Sequence, residues 1–212
     1  MITPNINPGV VGMPLANNQE YKRKKVPKYL YVALFFLLAC INALIAKFVV
    51  FSFNFVPGTA YLYVGIAFMI VFSLWFGMYG AIAAYVGCFI GAGLLSGLPF
   101  DLSILWSLTD FWEAFIPLVA FRTLGFDPAL RTRRDCIAIL FFGVIVNNIA
   151  GGVWGPLTLA LGGQIGWDSV IQVSSIWFLG NFVLCLGLVP LILIFFTPIV
   201  EKHELYIKRY WQ

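Results

Sequence analysis

Residues 48–100 read FVVFSFNFVPGTAYLYVGIAFMIVFSLWFGMYGAIAAYVGCFIGAGLLSGLPF, and no Asp, Glu, Lys or Arg stands between Lys47 and Asp101. A helix crosses the hydrocarbon layer with about 20 apolar residues, so a run of this length holds two crossings. The step Trp75–Phe76–Gly77–Met78–Tyr79–Gly80 divides it, with two glycines for a tight turn and aromatic rings suited to the headgroup level. The spans on either side are Thr59 to Gly77 and Tyr79 to Leu98.

The rest of the chain repeats the pattern. Charge is absent again between Asp135 and Asp168 and between Asp168 and Glu201. Four further spans follow: Leu30 to Phe51, Asp101 to Phe121, Cys136 to Leu161 and Val173 to Val200. The last is long enough to tilt, or to break near Pro190. Over all 212 residues, 61% are apolar and 10% charged, and the mean hydropathy is +0.94. A water-soluble globule of this size cannot hide that much apolar surface. The reading is an all-α integral membrane protein of six transmembrane helices. A basic N-terminal tail covers residues 1–29, the helical domain residues 30–200 and a C-terminal tail residues 201–212.

Charge placement gives the orientation. With the N-terminus inside, Lys22, Arg23, Lys24, Lys25 and Lys28 precede the first span. Arg122, Arg131, Arg133 and Arg134 lie between the fourth and fifth, and Lys202, Lys208 and Arg209 follow the sixth. Every basic residue but Lys47 is then cytoplasmic, which is the positive-inside pattern with both termini cytoplasmic. The net charge of +4 is thereby read as topology and attraction to anionic lipid, with no nucleic-acid partner. No secretory signal peptide is visible, so the first span is expected to direct insertion. The localisation expected is a multi-pass position in the cell membrane.

Polar residues inside the spans are the candidate site. Ionisable groups in hydrocarbon are costly and default to functional candidates. Asp110 and Glu113, at i and i+3, share a face of the fourth helix near mid-membrane, with Trp106 one turn outward from Asp110. Asn147 and Asn148 fall mid-span in the fifth helix, followed by Gly151 and Trp154. Asn181 follows Trp177 in the outer half of the sixth. Together they describe a polar pocket with aromatic walls; the bland alternative is hydrogen bonding between helices. For the two acids, proton coupling is a third reading. Lys47 is placed to pair with a carboxylate, to bind an anionic ligand group, or to snorkel outward. Ala39-x-x-x-Ala43 and Ala83-x-x-x-Gly87-x-x-x-Gly91 are small-residue stripes, read either as internal packing or as a docking face for a partner's helices. Cys40, Cys88, Cys136 and Cys185 lack metal-ligand spacing and read as small apolar residues. Trp167 and Trp211 read as interface anchors. The single histidine, His203, lies past the last span, and no phosphate loop or zinc spacing is present. The expectation is a protein that is not an enzyme and holds no metal or cofactor.

Two family resemblances follow from these stretches. Phe76–Gly77–Met78–Tyr79–Gly80–Ala81, continuing through Gly87 and Gly91, is similar to a Gly-rich stretch of the substrate-binding (S) components of energy-coupling-factor transporters. Ala39-x-x-x-Ala43 resembles their docking pattern. That resemblance implies a six-helix module that binds a vitamin or related small molecule from outside. Its partners would be a membrane scaffold subunit and ATPases supplied in trans. Thr109–Asp110–Phe111–Trp112–Glu113, Arg131 to Asp135, and Trp177–Phe178–Leu179–Gly180–Asn181 with Pro190 resemble the membrane-associated sensor domain of histidine kinases and diguanylate cyclases. That resemblance implies ligand sensing handed to separate output proteins, which the tail from Glu201 to Trp211 would dock; the output domain of that family does not appear before Gln212. A purely structural role in the membrane is a third reading.

Overall fold

A computed structural model describes residues 26–51 and 62–208. The basic run Lys22–Lys25, the stretch 52–61, Arg209 and Trp211 lie outside the described residues. Six helices form the fold: α1 (Lys28–Phe48), α2 (Gly65–Phe76), α3 (Met78–Ser96), α4 (Phe100–Leu124), α5 (Arg133–Leu161) and α6 (Val170–Val200). Five reach at least 18 residues with a strongly apolar window. The chain is a multi-pass helical membrane protein, as its hydropathy requires.

The second span departs from expectation. Instead of running from Thr59 to Gly77, helix α2 has 12 residues, about 18 Å at 1.5 Å per residue, well short of a 30 Å hydrocarbon layer. The first span likewise ends as helix at Phe48. Two short strands follow, β1 (Val50–Phe51) and β2 (Leu62–Tyr63), paired antiparallel with Val50 opposite Tyr63. They give an otherwise all-helical bundle a small cap above the start of α2. The residue that fits here is Gly65: the Tyr63 ring folds back across its α-carbon, where any Cβ would collide with the ring.

Helix α2 is the axis of the molecule. Ile66, Ala67, Met69, Ile70, Val71 and Leu74 are fully buried, packed among α3, α4, α6 and part of α1. A helix apolar on every side fits such a position. Because it stops inside the protein, its last carbonyls need partners. The Arg122 guanidinium donates to the Leu74 carbonyl (2.7 Å), and the backbone N–H of Ile207 donates to that of Trp75 (3.0 Å). Gly77, at φ 61°, joins α2 to α3 in a conformation glycine adopts without strain.

At the basic end the tail folds back under this core. Tyr206 is buried there, and burial pushes its phenol up from the ordinary value. Arg122 also donates to the Lys208 carbonyl (2.6 Å). Arg131 bonds Glu201 and Asp127, and these two carboxylates hold its guanidinium above its usual value. Thr132 and Asp135 close a reciprocal capping box at the start of α5.

The α1–α3 seam consumes the small-residue stripes. A Cβ on Gly87 would strike Asn42 and the backbone of Ala43, and one on Gly91 would strike the Ala43 carbonyl. Ala39 and Ala83 are buried in the same seam. Of the two readings of these stripes, internal packing describes the α1–α3 seam, where the backbones approach closely.

Candidate functional site

Helix α4 carries two buried carboxylates, each held by a different set of neighbours. Asp110 accepts a hydrogen bond from the Tyr63 hydroxyl (3.1 Å), delivered by the strand cap above α2. Cys88 of α3 lies beside it. Glu113, one turn on, is fully buried and turns toward α5 and α6. Its Oε1 accepts long bonds from the Trp177 indole and the Asn181 amide, both at 3.4 Å. The carboxylate rests on the backbone of α5 at Gly151, where a side chain would displace it. Oε2 has no partner.

Neighbouring helices supply further polar groups at this depth. Asn147 and Asn148 are adjacent in sequence, yet both are fully buried. They follow immediately on a π-helical stretch, Ile139–Val146, within α5. Such wide turns rotate the following residues relative to an ideal helix and recur at functional sites. The Asn148 amide nitrogen donates to the Val144 carbonyl (2.6 Å), leaving its oxygen free. Asn147 has no partner for either amide atom. Cys185 of α6 lies beside both. Trp106 stacks edge-on against Trp177 (6.1 Å between centroids), and its indole N–H is also unpartnered.

Two of the expected site residues sit elsewhere. Lys47 donates to the Leu95 carbonyl (2.8 Å) at the far end of α3. Among the described residues it forms no ion pair with Asp110 or Glu113. A flexible ammonium reaches the negative end of a helix dipole there, with access to water. Trp154 donates to the Leu105 carbonyl (2.8 Å) and packs on Trp112, on the flank of the α4–α5 contact. Trp106, Glu113, Asn147, Asn148, Trp177 and Asn181 lie where α4, α5 and α6 meet, whereas Asp110 faces Tyr63 and Cys88 on the α3 side.

Tyr63, 47 residues from Asp110, was not among the residues expected at the site. Nor was Asn42, a buried amide in α1 whose oxygen is unpartnered. The signal for Asn42 was available, as an amide within an apolar span.

A groove of about 400 Å³ opens between α5 and α6, within the size range of small-molecule sites. Asn148, Gly152, Ser174, Ser175 and Phe178 line it. Gly152 and its neighbour Gly151 form the thin wall: Gly152 faces the groove and Gly151 carries the Glu113 carboxylate. Compared with known proteins, the chain matches no protein-family model, no curated protein and no solved structure.

Proposed function

We propose that the protein is the membrane-embedded binding component of an uptake system for a small molecule of the vitamin or metabolite class, energised by partner subunits. The observation that carries this reading is the pairing of the α5–α6 groove with the buried Glu113 cluster across the Gly151–Gly152 wall. A groove lined by Ile149, Val153, Phe178 and Leu179, with one amide and two hydroxyls among them, holds a mainly apolar compound with a few polar groups. Unpartnered indole and amide groups behind it supply donors and acceptors in a water-poor setting, where each bond counts for more than in water. The positive-inside rule favours a cytoplasmic basic end, and in that orientation the cluster is loaded from the opposite side.

The test is thermal unfolding of the purified chain against a panel of vitamins and related metabolites. At least one should raise the melting temperature, and Asn148→Ala and Asp110→Ala should reduce that shift. A panel that moves nothing would remove the support for uptake.

A sensory reading has its own observation. The tail is bonded directly to the core at Trp75 and Arg122, so a change in the bundle would reach the cytoplasmic end. Co-purification separates the two: ATPase subunits favour uptake, and a kinase or cyclase favours sensing.

A further inference from the structure

Glu113 and Asn147 present oxygen atoms that find no hydrogen-bond partner among the described residues. Glu113 Oε2 and both amide atoms of Asn147 are buried without partners. Buried polar groups are nearly always hydrogen-bonded, because an orphan forfeits its hydration without return. Inside a bilayer that deficit is harder to relieve.

The two residues are neighbours in space. Glu113 lies on Gly151 of α5, and Asn147 is one turn away on the same face of that helix. Cys185, one turn from the Asn181 that binds Glu113, touches Asn147. On the α4 side, Pro117 stands four residues after Glu113. Proline has no N–H, so the Glu113 backbone carbonyl loses its ordinary intrahelical donor. The face of Gly143, one turn from Asn147, packs toward this same Pro117. The unpartnered carboxylate oxygen and the unpartnered amide thus lie on neighbouring turns of the α4–α5 contact, where the Glu113 carbonyl of α4 lacks its ordinary donor.

We propose that this junction binds a dehydrated monovalent alkali cation. Hard cations take oxygen ligands, carboxylate and amide oxygens among them. One carboxylate balances one positive charge. Asp110 is engaged by Tyr63, and Lys47 bonds elsewhere. Among the described residues no three His, Cys, Asp or Glu side chains converge as a transition-metal site would need. The cation completes the coordination that the fold leaves open, and it draws Glu113 away from the long bonds to Trp177 and Asn181.

The full chain in lipid nanodiscs provides the test, read through its seven tryptophans, of which Trp177 bonds Glu113 directly. Tryptophan emission is titrated with NaCl, KCl and LiCl, each exchanged against choline chloride at constant chloride. A saturable change with at least one alkali ion and none with choline is expected. Glu113→Gln should weaken the half-saturation by about tenfold or more, the cost of one charged contact. Asn147→Ala should weaken it too, and it decides the matter alone where Glu113→Gln does not fold. Identical emission in all four salts overturns the proposal. So does a change that follows pH at every salt composition alike, or one that both variants retain. Repeating the metabolite panel in choline chloride keeps the two readings apart: a ligand shift that survives there leaves the uptake reading standing whatever the salt titration shows.

Discussion

Gly151 is the position where one methyl group matters most. Its missing side chain is the space the Glu113 carboxylate occupies. In Gly151→Ala the carboxylate must leave Trp177 and Asn181. Forced movement in a packed interior costs about 1–3 kcal/mol, and equilibrium unfolding in mixed micelles should show a loss of that size, together with the loss of any ligand-induced thermal shift. An unchanged variant would mean that Glu113 has room to spare. At this scale the sequence was informative wherever chemistry and setting clash. Asp110 and Glu113 stand out because carboxylates do not belong in hydrocarbon. Trp177 and Asn181 stood among the expected pocket residues, but Tyr63 and Cys88, which reach Asp110 only through folding, were not legible. Lys47 shows the same limit: its cost was readable, but its choice of the Leu95 carbonyl depends on where α3 ends.

Helix α4 owes its part in the site to Pro117. Besides freeing the Glu113 carbonyl, the ring belongs to a region where the Ser73 hydroxyl of α2 donates to the Ala114 carbonyl (2.9 Å). Pro117→Ala restores an N–H to the helix, which tightens it. The expected outcome is unchanged helical content by circular dichroism, with about tenfold or greater weakening of the alkali-ion response. An unaltered response would show that the Glu113 carbonyl takes no part. Element boundaries were largely open to sequence reading, since long charge-free runs leave a membrane helix few alternatives. The length of α2 was not. Residues 59–77 are as apolar as a full crossing, and only the strand cap, with the Tyr63 ring lying across Gly65, shows where the helix begins. Periodicity offered little help, because a helix enclosed on all sides has no polar face to betray its ends. The small-residue stripes were legible as close-packing surfaces, but sequence alone did not say whether the partner was α1 or another protein.

Across the whole molecule, the buried tail ties the C-terminal end of α6 to the end of α2. Trp75 donates through its indole to Thr197 (2.9 Å) and accepts from the Ile207 N–H. Tyr206 lies between these contacts and Arg122. Tyr206→Ala should lower stability by roughly 2–4 kcal/mol, as for other large buried side chains cut to a methyl group. Tyr206→Phe should stay near wild type if ring packing dominates. Equal losses from both variants would instead assign the effect to the hydroxyl. The general plan of six helices was accessible from hydropathy. The back-folded tail was not, because a charged stretch of that kind reads as solvated until its backbone partners are seen.

The brevity of α2 also bears on how the chain enters the bilayer during synthesis. Twelve residues are too few to be released into lipid as a free-standing segment, so α2 must leave the insertion machinery together with α3, the pair turning at Gly77. Until α4 and α6 emerge from the ribosome, its carbonyls at Leu74 and Trp75 have none of their final partners, and the nascent protein waits for its own last residues to close the core.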